Sequence, residues 1–238
     1  MSREIKLWQD PYGEGNLFKK KSVTFEPGLT VLVGCNGIGK TTMLHNIKSC
    51  LRKEKIPCIE FDNCTDGGHF GRERAGIEED YVFLATAAFS SEGENIVMNL
   101  GKLASRLRKF IATGDNGDKS AEFIRIITGE EKEEITSNER WILLDAIDSG
   151  LSVDNICDVK EYLFNTILTD PENQDKDIYI IASANEYELA NGENCLDVLN
   201  GLFTEFISYE DYKRFILATK KEKEKRWSDE ETENDSEG

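Results

Sequence analysis

The stretch Thr30–Thr42 reads TVLVGCNGIGKTT, and it decides which fold we expect for the chain. Its first residues favour a β-strand, glycines follow at positions 34, 37 and 39, and the residues from Thr41 to Leu51 favour a helix. The octet Gly34–Thr41 fits the pattern G-x-x-x-x-G-K-[ST], in the strand–loop–helix context that this pattern requires. The stretch therefore predicts a strand, a tightly curved loop and a helix in direct succession.

The chemistry of this loop is that of a phosphate-binding site. Glycines allow tight curvature, so successive backbone N–H groups converge on an anion at the positive end of the following helix. Lys40 would reach the β- and γ-phosphates, Thr41 would offer its hydroxyl to Mg²⁺, and Thr42 would bond the α-phosphate region. The residues expected to bind ATP here are Gly34, Asn36, Gly37, Gly39, Lys40, Thr41 and Thr42. The alternative is a glycine turn that binds nothing.

Further apolar runs predict the rest of an α/β sheet. Val23–Phe25 and Leu29–Val33 are rich in β-formers, and Pro27-Gly28 between them is typical of a hairpin turn. Cys58–Phe61, Trp141–Leu144 and Ile178–Ala182 are short apolar runs separated by helical stretches. This alternation predicts buried strands in a largely parallel sheet.

The last part of the chain is expected to hold a hairpin, a helix and a tail. Asn200-Gly201 lies between two apolar runs and predicts an antiparallel edge hairpin, because both residues accept a positive φ. Tyr209–Trp227 has helical periodicity. From 228 to 238 the sequence SDEETENDSEG has no apolar residue and predicts disorder.

Composition limits the class of protein. The chain has 238 residues, 39% hydrophobic and 32% charged, which is enough for one domain of two lobes. It has no apolar run of the roughly 20 residues that span a bilayer, and its start does not resemble a signal peptide, so we expect a soluble, cytoplasmic protein without a membrane partner. The formal net charge of −17 repels nucleic acid at long range. The six scattered cysteines are expected to be reduced and mostly buried.

Several motifs resemble those of ABC-type ATPases. GCNGIGKTT resembles the glycine loop of that family, and Trp141–Asp145 (WILLD) resembles its Walker B strand. Ser149–Ser152 (SGLS) resembles the family's D-loop. The resemblance implies that Asp145, together with Thr41, holds Mg²⁺.

A further segment, Ser90–Glu94 (SSEGE), resembles the family's signature motif, with Ser91 as its serine and Gly93 as its second glycine. The same residues also form a capping box, which would open an amphipathic helix with Leu100, Leu103, Leu107 and Phe110 on one face. In the family, the signature of one subunit closes over ATP held by another. The resemblance therefore implies a head-to-tail homodimer in which Ser91 and Gly93 complete the ATP site.

The sequence departs from the family at catalytic positions. Ala146 stands where the family has its catalytic glutamate, and Asp148 is the expected substitute. Asn185 stands where a histidine is expected, and no glutamine follows Cys58–Phe61. The expected catalytic residues are Lys40, Asp145, Asp148 and Asn185, and hydrolysis is expected to be slow.

The resemblance implies a single ABC-type domain over residues 1–227. Its nucleotide lobe comprises about 1–62 and 138–227, and its helical lobe, with the signature and an insert, about 63–137. From Lys40 to Ser91 is 91 − 40 = 51 positions, which is short for a transporter subunit. The chain is more similar to compact, stand-alone SMC/RecF-like ATPases of phages and mobile elements.

Three functions are compatible with these patterns. The first is an ABC-type ATPase whose dimerisation acts on DNA or on a DNA-handling partner. Lys102, Arg106 and Lys109 would offer DNA a basic helix face, although the same residues fit a solvated face. The second is a nucleotide-gated interaction module that barely hydrolyses ATP. The third is a P-loop enzyme of another class, such as a small kinase.

Overall fold

The structure is a computed structural model that describes residues 1–7, 17–62, 92–117, 127–129 and 135–236. For 92–100 and 227–236 the description covers the backbone alone.

A six-stranded sheet forms the centre of the described part of the chain. Its strands are β3 (Gly28–Val33), β4 (Cys58–Asp62), β5 (Glu139–Asp145), β6 (Asp177–Ser183), β7 (Asn194–Asp197) and β8 (Leu202–Thr204). Their order across the sheet is β4-β5-β6-β3-β7-β8. Every neighbouring pair is parallel except β7 with β8. The carboxyl ends of β3 to β7 therefore lie along one edge, where ligands of open parallel sheets bind.

Helices and a second, small sheet surround the six strands. The helices are α1 (Lys40–Lys53), α2 (Glu92–Thr113), α3 (Val153–Asp158), α4 (Thr166–Thr169), α5 (Tyr187–Ala190) and α6 (Tyr209–Ser236). A π-helical stretch, Val159–Asn165, joins α3 to α4, and a 3₁₀ turn, Pro171–Asn173, follows. The small sheet pairs β1 (Arg3–Lys6) with β2 (Ser22–Phe25) in antiparallel fashion.

The central sheet is buried on both faces. One face packs against α2 and the α3–α4 segment, through buried residues such as Leu103, Leu107 and Phe110. The other face packs against α1 and the small sheet, and there Trp141 and Tyr179 stack with ring centroids 4.1 Å apart. This double burial explains why the strands read as nearly continuous apolar runs rather than as alternating ones.

The turn at Pro27-Gly28 was predicted to make a hairpin, and this prediction is wrong. Both edges of β3 are occupied, by β6 on one side and by β7 on the other, so no edge is left for β2. β2 pairs with β1 instead, and Arg3 of β1 binds Glu139 of β5 through Nη2 and Oε1, 2.8 Å apart. Pro27-Gly28 thus leads the chain from one sheet to the other.

The predicted edge hairpin at Asn200-Gly201 is confirmed, since β7 and β8 pair on either side of it. Its turn differs from the two-residue turn that we expected. Only Gly201 has a positive φ, of 64°, and its N–H bonds the carbonyl of Asp197 at 2.8 Å. Asn200 instead donates its side-chain amide to the Asp197 carboxylate at 2.6 Å.

The predicted helices are present as well. α1 includes Thr41–Leu51, and α2 buries Leu103, Leu107 and Phe110 on one face. α6 begins at Tyr209 as predicted but continues through Ser236, so the backbone of 228–236 is helical where composition predicted disorder. The segment 228–236 contains three glutamates, which favour a helix, and it extends a helix whose unfavourable nucleation step is already complete.

Two other expectations bear on the described residues. None of their helices is both long and apolar enough to cross a membrane. Five cysteines are free thiols, of which Cys35 and Cys195 are buried, Cys50 and Cys58 are partly exposed and Cys157 is exposed. Fewer thiols are buried than predicted.

Candidate functional site

The glycine loop follows β3 at the carboxyl edge of the sheet, and its shape requires glycine. Gly34 and Gly39 have φ values of 148° and 108°, which residues with a side chain rarely adopt. A Cβ on Gly34 would lie 2.8 Å from Cγ2 of Ile38, and one on Gly39 would lie 3.0 Å from Cδ2 of Leu17. The loop is therefore tightly curved, as the sequence predicted, and packs against its own Ile38 and against Leu17.

α1 begins at Lys40, directly after the loop, and Gly39 provides no side chain to cap it. The N–H groups of a first helical turn have no partners within the helix, so they are available to an anion. The Lys40 ammonium donates to the carbonyl of Gly34 at 3.0 Å. Burial lowers the pKa of Lys40, an effect partly opposed by the charges of Asp148, Cys35 and Asp145. The loop thus holds a partly buried ammonium beside Gly34.

Asp145, the last residue of β5, connects the start of α1 to the end of β6 through its carboxylate. Its Oδ2 accepts a hydrogen bond from the Thr41 hydroxyl at 2.6 Å, across 104 positions of sequence. Its Oδ1 accepts from the Ser183 hydroxyl at 2.5 Å, and Ser183 in turn accepts from the N–H of Ala146 at 2.8 Å. One carboxylate and one hydroxyl are thereby brought together at the mouth of the loop.

These two groups fit a magnesium site of the kind that uses few protein ligands. Mg²⁺ is usually held by one or two carboxylates together with substrate phosphates and water. Within the described residues, no group of three or more His, Cys, Asp or Glu side chains is arranged to hold a metal. Thr41 and Asp145 would therefore hold Mg²⁺ only together with a phosphate ligand.

Ala146, which follows the carboxylate, has an unusual backbone. Its φ is 51°, and a non-glycine residue in this region costs about 1 kcal/mol or more. The bond from its N–H to Ser183 helps to hold this conformation. The chain turns here, and Asp148, two residues further on, has only 1% of its surface exposed.

Asp148 organises the segment that follows β6. Its Oδ2 accepts hydrogen bonds from the backbone N–H groups of Asn185 and Glu186, each at 2.7 Å. Burial raises the pKa of Asp148, whereas the bonds from those two N–H groups act in the opposite direction. A carboxylate this enclosed is positioned to fix the 185–186 backbone. These contacts position the 185–186 backbone, and the water-activating role expected of Asp148 stays a prediction.

Asn185 lies on the solvent side of this arrangement. Its side-chain amide donates to Ser149 Oγ at 2.9 Å, and its N–H bonds Asp148. Because the residue is exposed, this amide is accessible to a ligand. The segment that resembles the D-loop, Ser149–Ser152, is thus in direct contact with the segment after β6.

The C-terminal helix α6 lies against the glycine loop, which no sequence pattern indicated. Thr219 accepts a hydrogen bond from the N–H of Cys35 through Oγ1, at 3.2 Å. Lys223 donates to the carbonyl of Asn36 at 2.8 Å, and Arg226 donates to the carbonyl of Leu17 at 3.0 Å. The outer side of the loop is therefore supported by a helix that begins 170 positions further along the chain, as 209 − 39 = 170.

The structure brings together most of the predicted residues. Lys40, Thr41 and Asp145 meet at the loop, and the exposed Asn36 lies beside them. Ser91 lies outside the described residues, whereas Gly93 belongs to the first turn of α2, so the predicted helix start at this point is present. The basic residues Lys102, Arg106 and Lys109 are on the same helix. Sequence reasoning missed Ser183, Thr219 and Lys223, whose roles arise only from tertiary contacts.

Comparison of the chain with protein-family models gives no match, and neither curated proteins nor solved structures give one.

Proposed function

We propose that the chain has a P-loop NTPase fold of the ABC type, binds Mg-ATP at Gly34–Thr42 and hydrolyses it slowly. One observation carries the proposal: the Thr41 hydroxyl and the Asp145 carboxylate are 2.6 Å apart, directly beside the loop that holds the Lys40 ammonium. A hydroxyl, a carboxylate, an ammonium and a helix end are the groups that a magnesium–triphosphate complex requires. In the sequence, Thr41 and Asp145 are 104 positions apart.

Binding would use groups whose present partners a phosphate can replace. The Lys40 ammonium would move from the Gly34 carbonyl to the β- and γ-phosphate oxygens, which carry full negative charge. The N–H groups at the start of α1 would bind the same phosphates. Thr41 and Asp145 would hold Mg²⁺, which neutralises charge that develops on the phosphates during transfer.

Hydrolysis requires a water molecule aligned with the γ-phosphorus, and the described site offers little to activate one. Ala146 has no carboxylate, and Asp148 already accepts two backbone N–H bonds. Asn185 is placed to donate a hydrogen bond from its amide, but an amide does not accept a proton from water at neutral pH. A site that can position a water molecule but has no strong base to deprotonate it supports slow turnover.

The dimeric part of the proposal depends on the start of α2. Gly93 lies in its first turn, where unpaired N–H groups and the helix dipole favour a phosphate of a second subunit. A homodimer would then enclose two ATP molecules, with Ser91 completing each site. The process served by such a dimer is proposed to involve DNA or a DNA-handling protein, through the basic residues of α2.

Nucleotide titration tests the proposal. Wild type should bind a non-hydrolysable ATP analogue in the presence of Mg²⁺, and Lys40→Ala should weaken this binding at least tenfold because a charge-assisted bond is lost. Wild type that binds no adenine nucleotide would refute the proposal. Sedimentation with and without the analogue tests the dimer, which Ser91→Arg should abolish. A dimer that persists in Ser91→Arg would favour the small-kinase alternative.

A second candidate is a nucleotide-gated interaction module, which binds ATP and dimerises but barely hydrolyses it. The observation that favours it is the burial of Asp148, the one carboxylate that we expected to replace the missing glutamate. Tight ATP binding with no measurable phosphate release would select this candidate. Measurable release that depends on Mg²⁺ would select the ATPase.

A further inference from the structure

One face of α6 is directed at the glycine loop. Thr219, Lys223 and Arg226 are spaced four and three residues apart, so they share one side of the helix. Thr219 is buried and Lys223 and Arg226 are partly buried, whereas Lys220, Lys221 and Glu222 between them are exposed. Thr219 and Lys223 bond the backbone of the loop at Cys35 and Asn36, and Arg226 bonds the backbone carbonyl of Leu17. The helix is thus fixed to the loop at several points.

Lys223 places its ammonium at the middle of the loop. Its Nζ donates to the Asn36 carbonyl at 2.8 Å and lies 3.2 Å from the point that a Cβ on Gly37 would occupy. Asn36 and Gly37 are exposed, so this part of the loop is open to solvent. The Lys40 ammonium bonds the carbonyl of Gly34, two residues earlier. Two lysines from distant parts of the chain therefore meet the same short loop.

The negative net charge of the molecule explains why a second ammonium beside the loop would matter for nucleotide binding. With a formal net charge of −17, the chain repels a triphosphate, so attraction must come from cations held close to the loop. A lysine has a flexible stem of four carbons and three donors, and its ammonium can exchange a carbonyl for a phosphate oxygen without movement of the helix. Thr219 and Arg226 would meanwhile keep α6 in place.

From these contacts we propose that Lys223 is a second phosphate-binding cation, which contacts the terminal phosphate of a bound nucleoside triphosphate. The inference rests on the proposed function, because it concerns the nucleotide expected in this loop. In a nucleotide bound as the motif predicts, the γ-phosphate would lie near Asn36, so an ammonium beside Asn36 would distinguish a triphosphate from a diphosphate. The C-terminal helix thereby takes part in recognising which nucleotide is bound.

The experiment compares the affinities of full-length variants for a non-hydrolysable ATP analogue and for ADP, both with Mg²⁺. Lys223→Gln removes the charge but keeps a donor for the Asn36 carbonyl, and Lys223→Arg keeps the charge. We expect Lys223→Gln to bind the triphosphate about tenfold more weakly and ADP less than about twofold more weakly, as for loss of one charged hydrogen bond. Lys223→Arg should bind the triphosphate within about threefold of wild type.

Lys220→Gln is the matched control, because Lys220 is an exposed lysine of the same helix whose ion pair is with Glu224, at 3.7 Å. It should leave both affinities unchanged. Equal weakening for both nucleotides in Lys223→Gln would overturn the inference, since Lys223 would then only shape the loop. Unchanged affinities would overturn it as well. If Lys223→Gln does not fold, the ratio of the two affinities in Lys223→Met decides in the same way. Wild type that binds neither nucleotide refutes the proposed function itself.

Discussion

Asp148→Ala should destabilise the protein because it removes the acceptor of two backbone donors. The carboxylate accepts from the N–H groups of Asn185 and Glu186 at 2.7 Å each, and it is 1% exposed. Hydrogen bonds to charged groups contribute about 1.5–3 kcal/mol each. Water can reach part of the exposed 185–186 segment, and the variant also removes a buried charge. Two such bonds would contribute about 3–6 kcal/mol together, and we expect the free energy of unfolding to fall by an amount near the lower end of this range, about 3 kcal/mol.

Urea unfolding, followed by circular dichroism, measures this loss. Asp158→Ala is the matched control, because Asp158 is an exposed aspartate ten positions further along, and it should change the free energy of unfolding by less than about 0.5 kcal/mol. If Asp148→Ala costs no more than Asp158→Ala, the positioning role of Asp148 is refuted. Asp148→Asn keeps an oxygen that can accept both N–H groups, so it should retain ATP turnover. Loss of turnover in this variant with intact ATP binding would restore Asp148 as a base.

Three further predictions concern the loop, the metal and pH. Gly34→Ala should abolish nucleotide binding and destabilise the fold by more than Gly192→Ala, because both glycines have a positive φ but only the former would have a neighbour within 4 Å of its Cβ; equal effects in urea unfolding would contradict this. Thr41→Val should raise the Mg²⁺ concentration needed for ATP binding at least tenfold, whereas Thr41→Ser should not. Identical magnesium titrations for Thr41→Val and wild type would exclude Thr41 as a magnesium ligand. Burial raises the pKa of Asp148, so the part of the stability that is linked to its protonation is complete below its ordinary pKa and is lost as pH rises through the folded value, whereas the carboxyl oxygen can accept the two N–H bonds in either form. Between acid and neutral pH, the free energy of unfolding should therefore fall less steeply in Asp148→Asn than in wild type. Parallel profiles for the two proteins would argue against a raised pKa of Asp148.

The elements of the sheet were predictable because their signals are local. Cys58–Phe61, Trp141–Leu144 and Ile178–Ala182 are apolar on every residue or nearly so, and they became strands buried on both faces. The glycine loop was predictable for the same reason, since its positive φ values require glycine at fixed spacing. Local chemistry thus indicated the fold class and the centre of the candidate site.

Pairing partners were less predictable, because they depend on competition between distant segments. Pro27-Gly28 is a favourable turn for a hairpin, yet β6 and β7 take both edges of β3. The two-residue turn expected at Asn200-Gly201 was replaced by a longer one because the Asp197 carboxylate and carbonyl bind the turn. In both cases a tertiary or side-chain contact outweighed a local preference.

In the candidate site as well, some residues were predictable from local motifs and others were not, because only tertiary contacts bring them to the site. Lys40, Thr41 and Asp145 were identified from motifs, and the structure places them together. Ser183 and Lys223 carry no motif, since a serine after a strand and a lysine in a charged helix are common. Their contacts with Asp145 and Asn36 arise only when the sheet and α6 are in place.

The position of β3 between β6 and β7 affects the order in which parts of the molecule can fold during synthesis. A ribosome makes the glycine loop about 150 residues or more before the strand ends at Ser183 and Asp197 that flank it, and later still it makes Thr219 and Lys223 of the helix that supports the loop. Closing contacts over such separations is slow and must wait for the later segment to emerge. A nascent chain therefore exposes its glycine loop without a finished pocket until the residues up to Lys223 have been made.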